Sequence, residues 1–210
     1  MTSLDRPDLR FRSSWAAAVA EFAAAGEATM HGSGLWEFEH VDTTEDGARG
    51  IVAYLLAQAD PALALPEGRV HCTYFWITDK PADDPTGERE FVGYLALRHS
   101  LTPWLLEQGG HIGYAVRPSR RREGHASRAL VLALGEAAAL GLDRVLLTAD
   151  EDNVASWRVI EAAGGVYEDS RKGMRRYWVP TAARTAARTA DRDPGGGPGR
   201  DGAGRPRARR

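Results

Sequence analysis

The five residues Val145 to Ala149, VLLTA, form a short and almost wholly apolar run set between two stretches of helical pattern. A strand that lacks polar alternation needs cover on both faces, and helices usually supply it. Before the run, Leu130, Leu134, Ala137 and Ala138 line one side of a helix that begins near Gly124 and stops at Gly141. After it, Asn153 to Ala163 reads as another helix, ended by Gly164 and Gly165. The strand–helix–strand–helix order points to an α/β (α+β) chain with a mixed sheet.

The first half supplies the other elements. Ser14 to Glu27 is alanine-rich, with Trp15, Val19 and Phe22 in one apolar stripe, and predicts a helix. Gly47 to Ala59 predicts a second, closed by Asp60-Pro61. Val70 to Thr78 and Phe91 to Arg98 are rich in β-branched and aromatic residues and read as an antiparallel hairpin across the polar turn DKPADDPTGE. His111 to Arg117 reads as a third strand, entered through Gly109-Gly110. Val166-Tyr167 and Met174 to Val179 suggest a last strand pair.

The chain has 210 residues, 43% hydrophobic and 27% charged, which suits one soluble domain. From Thr181 onward it carries eight Arg and three Asp and no apolar residue larger than alanine. Such a segment cannot offset its ordering entropy, so residues 181–210 are expected to be a disordered tail behind one domain of residues 9–180. The rest holds 19 basic and 26 acidic side chains, an acidic body that argues against nucleic-acid binding. The tail could still touch nucleic acid through its arginines, although a solvated tail explains it as well. Cys72 is the only cysteine, so an intrachain disulfide and a cysteine-based zinc site are excluded, and no metal is expected. No apolar run approaches the ~18 residues of a membrane span, and the N-terminus lacks the apolar core of a signal peptide. The expectation is a cytoplasmic protein with no membrane partner.

The stretch with chemical content is Gly113 to Leu130, GYAVRPSRRREGHASRAL. A strand ends, an Arg- and Gly-rich loop follows, and a helix begins. The first turn of a helix has unpaired N–H groups and a partial positive charge, and so holds anions. Gly124 allows close backbone approach, Ala126 keeps the next turn slim, and Arg120, Arg121 and Arg122 add charge. The loop is neither a Walker motif nor a dinucleotide fingerprint. Solvated arginines ahead of an amphipathic helix would have the same pattern.

The sequence resembles the GNAT superfamily of N-acetyltransferases. Arg121-x-x-Gly124-x-Ala126 fits that family's Arg/Gln-x-x-Gly-x-Gly/Ala signature, and the lead-in Ala115-Val116-Arg117-Pro118 and the following Ser127 to Leu130 also look like it. Asn153-x-x-Ser156 follows the short strand, where the superfamily commonly has a pantetheine-contacting Asn. LRHSLTPWL, GGHIGYAVRP and VIEAAGGVYE are similar to a group of bacterial acetyltransferases of undefined substrate.

The resemblance implies a GNAT fold: a central sheet splayed between two parallel strands, here His111–Arg117 and Val145–Ala149, and flanked by helices. It implies acetyl-CoA as co-substrate, with its diphosphate on the N–H groups of Arg122, Gly124, His125, Ala126 and Ser127, and the His125 side chain turned outward. A bulge in the first of those strands would free the N–H groups of Ala115 and Val116 for the pantetheine and the thioester carbonyl. Asn153 and Ser156 would complete the cofactor contacts. The implied reaction is acetyl transfer to a primary amine by direct attack in a ternary complex. The acceptor amine must lose a proton, for which His111 and His99 are the candidates, with Glu90 behind them. The family's usual thiolate acid falls on Ile160, so Tyr167, Tyr177 or water would have to serve. That gap motivates an alternative, a non-catalytic acetyl-CoA sensor with the same fold. A small-molecule amine is the expected acceptor, with antibiotics, polyamines, amino acids and protein N-termini all open. Homodimers are common in the family.

Overall fold

The computed structural model describes residues 1–27, 30–80 and 88–181. Most of the turn expected after Asp79, and nearly all of the tail expected from residue 181, lie outside the described residues. In chain order the elements are β1 (Ser3–Asp5), α1 (Arg12–Ala24), α2 (Glu45–Ala57), β2 (Cys72–Asp79), β3 (Glu90–Arg98) and α3 (Pro103–Glu107). There follow β4 (Ile112–Val116), α4 (His125–Ala139), β5 (Arg144–Asp150), α5 (Val154–Ala162), β6 (Val166–Arg171) and β7 (Met174–Pro180). The strands form two sheets, ordered β1-β2-β3-β4 and β5-β7-β6, and each pairing within them is antiparallel. The sheet is therefore divided between β4 and β5, where the sequence places the splay.

Period-2 alternation sends the strand side chains into two cores. Phe75, Ile77, Leu95 and Leu97 face α4 and α5, together with Val145 and Leu147 from β5. Tyr74, Trp76, Phe91 and Tyr94 face α1 and α2. Trp15 of α1 stacks on Trp76 with centroids 5.7 Å apart, and its indole N–H donates to the Tyr94 hydroxyl at 2.9 Å. A buried indole must place its N–H, and this bond does so.

Phe91 and Tyr94 share a face although they are an odd three positions apart, because the β2–β3 register shifts: Ile77 pairs with Gly93 but Thr78 pairs with Phe91. Val92 is the extra residue of a bulge. The bulge expected in β4 is thus found one strand away; β4 keeps an unbroken register with β3, from Gly93↔Val116 to Leu97↔Ile112.

Two short elements were not expected. β1 pairs with β2 at the start of the chain, Leu4 opposite Ile77. α3 is a single turn capped by Thr102, whose hydroxyl accepts from the Leu105 N–H, with Pro103 at its first position. Thr181 is a correction to the tail boundary. It is buried, its N–H donating to the Asp143 carbonyl and its hydroxyl to the Leu142 carbonyl.

Gly93 is fixed by close approach: a Cβ there would overlap the Ala115 carbonyl oxygen across β3 and β4. Gly93→Ala is expected to destabilise the domain by about 1–3 kcal/mol, the usual range for overpacking. Denaturant titration of the variant against wild type measures this.

Candidate functional site

β4 is the inner edge of the first sheet. Arg98 N–H donates to the His111 carbonyl and Arg117 N–H to the Val92 carbonyl, at 2.8 and 2.9 Å. With the unbroken register, those bonds put the amides of residues 113, 115 and 117 in the ladder with β3, whereas His111 joins it only through its carbonyl. The amides of Ile112, Tyr114 and Val116 consequently point to the other side, toward β5. Ala115, expected as a cofactor donor, is corrected by this alternation: its N–H faces Tyr94 across the ladder. Val116 keeps the expected orientation, and Tyr114 joins it.

β5 meets β4 at one place. His111 N–H donates to the Leu146 carbonyl at 2.7 Å, and Leu146 N–H donates to His111 Nδ1 at 2.9 Å. Beyond this clamp the two strands share no ladder. His111 is buried, and burial, helped by the Arg98 charge, pushes its pKa down to about 4. Its Nδ1 lone pair is engaged, so the ring is a neutral structural bridge and not the expected base.

The other catalytic candidates also lie elsewhere. His99 turns toward β2, where Nε2 lies 2.8 Å from Thr73 Oγ1, and burial lowers its pKa. Tyr167 sits on β6, the outer strand of the second sheet, with its hydroxyl 3.1 Å from Ser170 Oγ. Tyr177 is buried and donates to Glu161 at 3.1 Å. Glu90 is ion-paired with Arg120. The three residues expected to be catalytic each bond to a different partner, Thr73, Leu146 and Ser170.

From Val116 the chain turns through Pro118 to Arg120 and enters α4 at Gly124, which has φ +80°. Gly124 offers no side-chain cap, whereas Thr44, Thr102 and Asn153 cap α2, α3 and α5. The first intrahelical bond of α4 runs from Arg128 N–H to the Gly124 carbonyl. The N–H groups of His125, Ala126 and Ser127 therefore stay free within the helix, beside the open edge of β4. Arg122 precedes them at φ +67°. An extended, amide-bearing arm along β4 that ends in a diphosphate on α4 matches these donors, the arm adding to the sheet edge as a strand does.

The loop arginines do not act as the sequence suggested. Arg117 pairs with Glu21, holding that carboxyl down at about 2. Arg120 pairs with Asp79, Glu90 and Glu123. Arg121 is bidentate to Glu27 at 2.7 and 2.6 Å and donates Nε–H to the Val116 carbonyl at 2.9 Å. Arg122 makes no ion pair among the described residues. The donors left at the start of α4 are thus main-chain N–H groups, with Arg122 beside them. His125 is a second correction. Its ring turns inward, 2% exposed, with Nδ1 2.9 Å from Thr2 Oγ1 and Nε2 3.1 Å from Glu123. It ties the helix start to the N-terminal segment.

Asn153 Oδ1 accepts from Ser156 N–H at 3.0 Å, so the expected pantetheine contact is at least a helix cap. Sequence reasoning missed that the Tyr114 hydroxyl donates to the Ser156 carbonyl at 3.4 Å, reaching α5 from β4. The alternation of Ile112, Tyr114 and Val116 was the available signal. Among the described residues no helix is long and apolar enough to cross a membrane, and no group of three His, Cys, Asp or Glu could hold a metal.

A family profile described as acetyltransferase (GNAT) domain matches residues 9–166. Solved structures share the fold. Mycobacterium smegmatis RimJ in complex with CoA-disulfide is 20% identical, with 90% of this chain and 89% of that chain covered and a TM-score of 0.55. The ribosomal-protein-S5-alanine acetyltransferase of Vibrio fischeri is 16% identical, with 86% and 92% covered and a TM-score of 0.56. The microcin C7 self-immunity acetyltransferase MccE, in complex with acetyl-CoA and AMP, is 12% identical, with 85% and 92% covered and a TM-score of 0.57. No curated protein sequence matches at a significant level.

The His111 clamp has a pH signature. Its folded pKa lies below the ordinary 6.5, so its contribution is complete above pH 6.5 and is lost as pH falls toward 4. The full effect is about 3 kcal/mol. His111→Leu is expected to lose this dependence and to be less stable at pH 7, because the Leu146 N–H is left unpaired. Urea titrations of both proteins at pH 7 and pH 4.5 should show the stability difference shrinking at the lower pH.

Proposed function

The chain belongs to the acetyltransferase (GNAT) domain family, and from that membership we propose that it transfers the acetyl group of acetyl-CoA to a primary amine by direct attack in a ternary complex. The observation that carries the reading is the continuity of donors, from the edge amides of Tyr114 and Val116 to the uncapped start of α4. Val116 N–H would polarise the thioester carbonyl, a fixed dipole aimed at developing negative charge. His125, Ala126 and Ser127 N–H groups would hold the diphosphate, with Arg122 alongside. Asn153 and Ser156, at the start of α5, would flank the pantetheine. The acetyl-CoA and CoA-disulfide complexes of two structural relatives support the choice of co-substrate.

The acceptor follows from the missing base. Neither His99 nor His111 is placed to deprotonate an amine at the open edge. An enzyme without such a base depends on the acceptor's own free-base fraction. At pH 7 an α-amino group, with a pKa near 7.7–8.0, has about 300 times the free-base fraction of a lysine side chain at about 10.4. The site therefore favours the α-amine of a peptide or protein N-terminus. A relative described as a ribosomal L7/L12 alpha-N-protein acetyltransferase agrees with that choice (16% identity).

Ile160, in the family's acid position and buried, favours a second reading as a non-catalytic acetyl-CoA sensor. Coenzyme A release across a panel of α-amines and ε-amines separates the two. The enzyme reading expects release with α-amines, kcat/KM rising with pH and levelling near pH 8 as the acceptor titrates. Acetyl-CoA binding with no thiol released by any amine would leave the sensor; no binding at all would end both. Arg122→Ala is expected to weaken acetyl-CoA binding about threefold to tenfold at low salt, and less at high salt, as for a partly screened charge contact. Calorimetric titration at two salt concentrations checks it.

A further inference from the structure

Tyr114 stands in the middle of β4, between Ile112 and Val116 on the side that packs against α4 and α5. Its hydroxyl, donating to the Ser156 carbonyl, crosses from the strand edge to the first turn of α5. The other five tyrosines are committed elsewhere. Tyr54 meets Phe38 edge-on at 5.2 Å, and Tyr74 and Tyr94 lie in the core beneath α1 and α2. Tyr167 sits on the outer strand, and Tyr177 is bonded to Glu161. Tyr114 alone of the six has its hydroxyl between the open edge of β4 and the start of α5.

We propose that the Tyr114 hydroxyl donates a hydrogen bond to the coenzyme A sulfur as the thioester breaks, supplying the stabilisation that Ile160 cannot. This rests on the acetyl-CoA reading. The amine nitrogen bonds to the acyl carbon, and the C–S bond breaks with its electron pair left on sulfur. Tyr114 turns from the Ser156 carbonyl to that sulfur. The surplus proton on nitrogen passes to water, and the thiolate takes a proton from water as it leaves. Amine and thioester become amide and thiol. Burial pushes the Tyr114 phenol up to about 12, so it keeps its proton and acts as a donor throughout the neutral range. A donor to an ionised sulfur is of the stronger, charge-assisted kind.

Equilibrium binding of coenzyme A and of desulfo-coenzyme A, measured from pH 6 to pH 10, tests this without an acceptor. In the wild type, affinity for coenzyme A relative to the desulfo analogue should rise about tenfold as the thiol ionises. In Tyr114→Phe, which keeps the ring, that rise should vanish while the desulfo analogue binds as before. Tyr167→Phe should behave as wild type. An unchanged rise in Tyr114→Phe overturns the role. If wild type binds neither coenzyme, the acetyl-CoA reading itself fails, and the role with it.

Discussion

Two hydrogen bonds between His111 and Leu146 hold the halves of this domain at their shared edge. Each sheet is complete within itself, so nothing in the ladders demands that β4 and β5 stay adjacent. The clamp pins them at one point, and past that point the amides of β4 are left with no strand opposite. An exposed row of unpaired N–H groups is ordinarily an aggregation hazard. Here it leads into the uncapped start of α4, and the two together form a path of donors with one open side.

The charges around that path are arranged against each other. Glu21, in the last turn of α1, and Glu27, just beyond it, neutralise Arg117 and Arg121 from almost a hundred residues away. Arg120 is surrounded by three carboxylates. A loop with this many arginines looks like a cationic cradle, yet most of the charge serves to hold the loop in shape. Arg121 shows the purpose: it fastens the Val116 carbonyl while Glu27 fastens Arg121. The side chains build the scaffold and leave the peptide groups of the path unpaired.

Much of the architecture was legible from local pattern. The apolar run of β5, the stripe on α4 and the stops at Gly141 and Gly164 each rest on neighbours within one element, and each was found. The short elements were not. β1 spans three residues with no alternation to read, although for α3 the Thr102-Pro103 pair was a usable signal. Of the expected site, the helix start at Gly124 was readable from the motif, whereas the Val116 amide faces away from β3 by plain alternation and not through the expected bulge. The inward turn of His125 depends on Thr2, the pairing of Arg121 on Glu27, and the neutral bridge of His111 on Leu146. Contacts at such separations leave no trace in a single sequence. The displacement of the bulge to Val92 is the same kind of miss, since a one-residue register shift is invisible until both strands are in place.

A grip made of peptide groups places few demands on which side chains occupy it. Every residue type except proline carries the same N–H, so a position such as 116 or 127 could change in identity without losing its donor. Shape is constrained where chemistry is not: a slim residue at a crossing, a left-handed turn before a helix. Proteins built this way diverge until little but geometry is shared. RimJ, the S5-alanine acetyltransferase and MccE share this chain's fold at 12 to 20% identity over most of their length.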